Sequence, residues 1–378
     1  MSKTVLSVFD LSPRRIGGME LMAAELTRSL NAIGWRSILA FPAKPSDLVG
    51  RFLANAGAEV MMAPEISVGD MGAGRALFGL VKKTQAEHVH FHFTSFLTPM
   101  VWGSRLGGAK GIYFTDHTSR PQGEMPRAAV GAKLLIGKWM ALPYKQVFCV
   151  CDFVRNFNTA RGYVPPERLT TLYNGIDFAH ISGSAQGLEF RKKFGIDSSK
   201  ILVSQVSWLR PEKGLDVFIR AAATAARQDD RLHFLIAGDG PNREDYIQLC
   251  NQLGIANRVT FSGLVADPLG EGLYASSDVI CLLSRWQEAF AYVILEAMAN
   301  AKPLICTHVG GIPEAVEDGI TGYIVTTEDA DTAAKHMVSL SRDNELRLSL
   351  GKTAYDRVHQ RFDLKGHIAR LISYYGVS

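Results

Sequence analysis

Short apolar runs alternate with helix-period stretches from one end of the chain to the other. In the first half, "TVLSVFDLS", "RSILAFPA", "HVHFHFT", "KGIYFTDH", "KQVFCVCD" and "RLTTLYNG" have the length and the β-branched or aromatic content of buried strands. Between them, segments such as "GMELMAAELTRSLNAIG" space their apolar residues as a helix does. The second half repeats the rhythm with "KILVSQVSWL", "LHFLIAGDG", "RVTFSGLV", "DVICLLS", "KPLICTH" and "TGYIVTT". Strands that stay apolar along their length are buried on both faces, and strand–helix alternation then predicts doubly wound parallel α/β sheets. Two such sets in 378 residues predict two domains, since one ordinary core does not accommodate that length. The Gly/Ser-rich "HISGSAQGLEF" at 180–190 reads as the linker between them. In open parallel sheets ligands collect outside the carboxyl ends of the strands, so the loops there are the first candidates for a site.

Composition narrows the class. With 47% hydrophobic and 21% charged residues the chain reads as a globular α/β enzyme rather than a disordered or fibrous protein. The apolar run in "MSKTVLSVFDLSP" is too short for a signal peptide, and no stretch reaches the roughly 18 apolar residues of a spanning helix. The five cysteines read as reduced core residues of a cytoplasmic protein. The net charge of +4 hides an asymmetry: residues 1–180 hold 20 Lys/Arg against 13 Asp/Glu, and the remainder is slightly acidic. A basic first half predicts an anionic partner, with nothing that points to nucleic acid. Between Met125 and Cys151 stand Arg127, Lys133, Lys138 and Lys145 with no acid, among Leu134, Leu135, Ile136, Trp139, Met140 and Leu142. Two readings stay open there. One is an interfacial helix on an anionic membrane (residues 125–145), peripheral at its inner face; the other is a core helix with snorkelling lysines.

Several strand ends carry Gly or charge where an anion could sit. Gly17 and Gly18 lead into a helix, whose N-terminus favours negative charge. "SWLRPEKGLDVFIRA" repeats the arrangement with Arg210 and Lys213, and "CTHVGGIPEAV" does so with Gly310 and Gly311. In "LIAGDGPNRE" the third glycine of a dinucleotide fingerprint is replaced by Arg243, which argues against a nicotinamide site. Asp329 and Asp331 read as first-turn helix acids rather than metal ligands. The alternation in "HVHFHF" assigns His90 and His92 to the core, whereas His117 breaks into the polar loop "TDHTSRP". Glu288 and Glu296 flank a change from turn-like to helical sequence in "SRWQEAFAYVILEAMA".

Taken in order, "IGGME", "DHTSRP", "LYNGID", "RPEKGLD", "IAGDGPN", "VTFSGLV", "LYASSDV", "EAFAYVILEAMA" and "VGGIPEAVEDGITGYIV" resemble family 4 retaining glycosyltransferases over nearly the whole chain. The resemblance implies the GT-B fold: two Rossmann-like domains facing across a cleft. Residues 1–183 would serve mainly the acceptor, 184–360 would bind the donor, and a last helix at 361–378 would cross back to the first domain. It implies transfer of a sugar from a UDP- or GDP-type nucleotide diphosphate sugar, with retention and without a metal or other cofactor, to a lipid-linked or saccharide acceptor in envelope polysaccharide or glycolipid synthesis. Glu288 would accept hydrogen bonds from the sugar and Glu296 from both ribose hydroxyls. A helix starting near Tyr292, with Phe290, Ala291 and Val293 around its N-terminus, would point N–H groups at the diphosphate. Lys213 would supply positive charge to the leaving group, as fixed electrostatic stabilisation does in general. Ser207 lies in that basic loop. Gly17 and Gly18 would close over phosphate and sugar, His117 would touch the donor sugar, and Gly263, Leu264 and Val265 would lie along the base.

Two departures stand out. The family's Gly-Arg before the leucine of the basic loop is here Ser207-Trp208, with Arg210 two positions later as the candidate replacement. Its Gly-Phe-Gly after the first glutamate is Ala289-Phe290-Ala291, which forgoes easy access to positive φ. A sugar-nucleotide epimerase or phosphorylase on the same fold, or a non-catalytic nucleotide-sugar binder, are the alternative readings.

Overall fold

The apolar runs fold as parallel strands. A computed structural model describes residues 3–67, 71–121 and 131–376 of the protein. The chain forms two compact units. One comprises residues 1–118, 123–175 and 364–378, the other 119–122 and 176–363.

The first unit's sheet holds β1 (Thr4–Phe9), β2 (Arg36–Phe41), β3 (Glu59–Met62), β4 (His88–His92), β5 (Gly111–Asp116), β6 (Gln146–Cys149) and β7 (Leu169–Thr171). Their order is β3-β2-β1-β4-β5-β6-β7, every pair parallel. β1, β4, β5 and β6 are buried at every position; apolar residues dominate β1, β5 and β6, and in β4 they alternate with three histidines. β3 escapes a pattern search because it is a short edge strand with Glu59 and Met62 exposed. His90 and His92 are core residues as expected, 0% and 1% exposed. The final helix, Leu364–Tyr374, belongs to this unit and packs beside the Gly18–Ala32 helix. Leu364, Ile368 and Leu371 are buried on it, each worth about 1.5–3 kcal/mol. Its end is fixed by polar bonds: Tyr113 Oη donates to the Tyr374 carbonyl at 2.9 Å, and Tyr375 Oη lies 2.7 Å from His90 Nδ1.

The second unit's sheet holds β8 (Ile201–Val206), β9 (Leu232–Ala237), β10 (Val259–Gly263), β11 (Val279–Leu282), β12 (Leu304–Thr307) and β13 (Gly322–Val325). The order is β10-β9-β8-β11-β12-β13, again parallel. The Leu215–Ala226 helix presses Val217, Phe218, Ala221 and Ala225 onto it, and Phe234, Ile236 and Met337 join the same core. The expected linker is corrected in part: Ser184–Lys193 is a helix, and a Cβ at Gly187 would stand 2.8 Å from the Ala275 carbonyl carbon. Its sequence is polar because only Gly187, Phe190 and Arg191 are buried. All five cysteines are buried and none forms a disulfide.

Candidate functional site

In the second unit the strand order turns between β8 and β11, so the loops after these two strands border the crevice where open sheets bind ligands. The loop after β8 ends in a 3₁₀ turn, Pro211–Lys213, closed by Gly214 at φ +62°. A Cβ at Gly214 would lie 1.9 Å from the Leu283 carbonyl oxygen, so glycine is what lets this loop touch the one after β11. Arg285 ties the two loops further. Its backbone N–H donates to the Glu212 carbonyl at 2.9 Å, and its guanidinium grips both oxygens of Asp216 at 2.7 Å and also pairs with Glu328. These hydrogen bonds hold the Arg285 guanidinium above its ordinary pKa.

The result is one buried carboxylate on one cation. Lys213 Nζ lies 2.5 Å from Glu288 Oε1, and the Ser284 hydroxyl donates to the same oxygen at 2.6 Å. Ser119 Oγ donates to Glu288 Oε2 at 3.0 Å. It comes from a strap, within the second unit, that pairs antiparallel with the loop: Arg120 N–H donates to the Gln287 carbonyl at 2.9 Å and Gln287 N–H to the Arg120 carbonyl at 2.7 Å. Glu288 is only 4% exposed, and a carboxylate has about four acceptor sites, so its three partners leave room for one more donor. Gly310 completes the cradle at φ +56°. A Cβ there would sit 1.9 Å from the Glu288 carbonyl oxygen, which instead accepts the Gly311 N–H at 2.8 Å.

The helix starts at Tyr292 with Ala291 as its N-cap at φ −70°, and neither Ala289 nor Ala291 is among the described residues at positive φ. This loop makes no use of the conformation that glycine would permit. Phe290 and Ala289 are buried, while Tyr292 and Val293 are half-buried. Glu296 lies inside the helix, 2% exposed, and takes the Tyr274 hydroxyl as donor. Ser207 follows β8, its N–H on the Ala237 carbonyl at 3.0 Å; Gly238 N–H reaches the Gly263 carbonyl at 2.9 Å. Gly263 has φ +69°, Leu264 beyond it is 47% exposed and Val265 is buried. Arg210 is exposed, and its ion pair with Glu212 is a long 3.9 Å. Trp208 is 59% exposed. Asp329 caps the Ala330–Arg342 helix through Thr332 N–H at 2.9 Å, and no cluster of metal-ligating side chains occurs among the described residues.

The first unit carries the other predicted residues after β1, at its own turn in strand order, and after β5. Gly17 and Gly18 open the Gly18–Ala32 helix, and Gly17 N–H is held by Glu20 Oε2 at 3.0 Å. His117 follows β5, half-buried, with Nε2 3.3 Å from His92 Nδ1 and its ring stacked on Phe93 at 4.4 Å. Phe93 has φ +60°, a strained conformation for a bulky side chain, and it stands directly after β4. Burial pushes the His117 imidazole down to about 3, against the opposing pull of Asp116, so the ring is neutral. Reading the sequence missed Ser119, Tyr274, Ser284 and Phe93. Hydroxyls and aromatic rings carry no periodic or charge signal that marks them in advance.

The profile described as "Glycosyltransferase Family 4" matches residues 16–180, and "Glycosyl transferases group 1" matches 188–357. The chain belongs to the family 4 glycosyltransferases. It is 35% identical over 198 residues to the N-acetyl-alpha-D-glucosaminyl L-malate synthase of Bacillus anthracis, an alignment covering 52% of this chain and 51% of that one. It thus spans about half the length of the first curated relatives it matches. Against a GDP-mannose-dependent alpha-(1-6)-phosphatidylinositol monomannoside mannosyltransferase of Mycobacterium tuberculosis, identity is 27% over 369 residues, with 93% of this chain and 92% of that one covered. Among solved structures, an Anabaena protein in complex with UDP and glucose superposes with TM-score 0.80 at 20% identity, covering 99% of both chains. The two parallel Rossmann-like sheets, of seven and six strands, are those of the GT-B fold.

Proposed function

We propose that this chain moves a sugar from a nucleotide diphosphate sugar to an acceptor hydroxyl, with retention of configuration and without a metal. The observation that carries the reading is the buried Glu288 carboxylate. It is held on Lys213 at 2.5 Å just ahead of the Tyr292–Ala299 helix, with Glu296 inside that helix. The remaining acceptor site on Glu288 suits one sugar hydroxyl. Lys213 and the helix N-terminus supply fixed positive potential where a departing diphosphate gathers charge. Glu296 is assigned to the ribose, with Tyr274 orienting it. A buried carboxylate discriminates against ligands lacking those hydroxyls, because its charge would be left underpaired. Among the described residues no side chain stands out as a nucleophile, so a front-face displacement is the step assigned, with the leaving phosphate taking the acceptor proton. The acceptor is read as lipid-linked or saccharide, in keeping with the phosphatidylinositol-mannoside relative.

Calorimetry with UDP and GDP tests the division of labour between the glutamates. Glu296→Ala should lose most of its affinity for the free diphosphate, whereas Glu288→Ala should keep it and lose most transfer. Equal loss of diphosphate binding in both variants would sink the assignment.

A further inference from the structure

The Gly131–Ala141 helix is built inside out. Its buried residues are Gly137 and Ala141, four apart, while Leu135, Ile136 and Trp139 are 69%, 60% and 57% exposed, and Leu142 just beyond is 59% exposed. The small stripe is where it docks: a Cβ at Gly137 would meet the Tyr163 ring at 2.2 Å. The large apolar side chains therefore point away from the sheet, which excludes the core-helix reading of this segment. Residues 122–130, the start of the basic segment, lie outside the described residues.

Two neighbouring helices extend this surface. Trp102, on the Met100–Gly107 helix, stacks on Trp139 at 5.0 Å, and its indole N–H donates to the Trp139 carbonyl at 3.3 Å. That helix touches the Met71–Thr84 helix backbone to backbone, a Cβ at Gly103 standing only 2.0 Å from the Gly74 carbonyl oxygen. Right-handed crossovers put all three helices on one face of the sheet. Leu106 and Phe78 add exposed apolar area at 68% and 41%. The three helices carry Arg75, Lys82, Lys83, Arg105, Lys133 and Lys138 and not one Asp or Glu.

We propose that this three-helix face seats the protein on an anionic lipid bilayer, with Leu135, Ile136, Trp139 and Leu142 entering the headgroup region and the Lys/Arg ring meeting lipid phosphate and carboxylate. Charge decides the occupant. An apolar patch used for a second copy of this chain would bring two acid-free cationic surfaces together, whereas an anionic surface complements it. No helix among the described residues is long and apolar enough to cross a membrane, so this face is an interfacial contact. The proposal extends the functional reading to the protein's location, and its test does not depend on catalysis.

Flotation of the full chain with phosphatidylcholine vesicles, and with vesicles carrying about one-third phosphatidylglycerol, decides it. Binding is expected on the anionic vesicles only, weakening as salt rises. Lys133→Gln with Lys138→Gln should weaken it roughly 30-fold, at about five-fold per cation. Leu135→Ser with Trp139→Ser should abolish it, and both variants should keep the calorimetric affinity for nucleoside diphosphate. Equal recovery on neutral and anionic vesicles, or no flotation at all, would overturn the proposal. So would a wild-type dimer in size-exclusion that the Leu135→Ser, Trp139→Ser variant converts to monomer. Loss of diphosphate binding in the wild type would instead count against the proposed function alone.

Discussion

Gly310→Ala is expected to damage the site and the fold together, by an amount that can be separated into parts. At φ +56° an alanine pays about 1 kcal/mol for its left-handed backbone. The new methyl would also stand 1.9 Å from the Glu288 carbonyl oxygen and 2.7 Å from its nitrogen, so one strand of chain must retreat by about 1.5 Å to reach ordinary contact. That retreat stretches the Gly311 N–H bond to Glu288 and the Gly310 N–H bond to the Gln287 side chain, each worth about 1 kcal/mol. The sum is about 3 kcal/mol. Gly254→Ala is the control: it has φ +72° and nothing within 4 Å of the added carbon, so only the backbone cost of about 1 kcal/mol applies. Urea unfolding of both variants should show the difference of about 2 kcal/mol. Transfer assays should show Gly310→Ala slowed by about 10²-fold, since a displacement of about 1 Å at a reacting group costs that much, with Gly254→Ala near normal. Equal midpoints for the two variants, together with full turnover in Gly310→Ala, would refute the idea that this glycine holds Glu288 in place.

Other perturbations separate the remaining parts. Lys213→Ala should cut turnover by roughly 10²-fold or more and cost about 3 kcal/mol of stability by leaving Glu288 buried without its cation; a stable, active variant would contradict this. Arg210→Ala should also cut turnover by roughly 10²-fold but leave stability unchanged, since its side chain is exposed, and Trp208→Arg should not rescue it; near-normal turnover at saturating donor would reduce Arg210 to a solvated loop charge. Burial holds His88 and His367 down at about 4 and His117 at about 3, so the folded protein keeps them neutral while the unfolded chain protonates them near 6.5. Their stability contribution is therefore complete above pH 6.5 and is lost as pH falls towards 4, by about 1.4 kcal/mol per pH unit for each histidine. Urea midpoints that do not change between pH 7 and pH 5 would contradict it.

The parallel sheets were legible because strands buried on both faces keep most positions apolar, as β8, β9, β11 and β12 do, while β10, half-buried throughout, shows only β-branched and aromatic content. β3 was not, since an edge strand with Glu59 facing solvent has no such constraint. The Ser184–Lys193 helix reads as linker for a related reason: its docking face needs only Gly187 and a few others, and glycine signals flexibility unless its neighbour is known. At the site, Glu288, Lys213 and Glu296 announce themselves by charge and by family pattern. Ser119 does not, because its approach to Glu288 depends on a contact 169 residues distant in sequence. The alanines at 289 and 291 looked like a loss of freedom, yet the backbone there is in ordinary territory; the glycine that matters for Glu288 is Gly310, on a different loop. The segment at 125–145 left two readings open, and only the direction in which Leu135 and Trp139 point selects between them.

Proton NMR of the reaction distinguishes retaining, metal-independent transfer from a nucleotide diphosphate sugar from its alternatives. The purified protein would be incubated with α-linked UDP- and GDP-sugars and a panel of lipid and saccharide acceptors, with and without EDTA. An α-linked product is expected from the first turnover, formed at the same rate in EDTA and lost in Glu288→Ala. A β-linked product, a rate abolished by EDTA, or an undiminished rate in Glu288→Ala would contradict that mechanism.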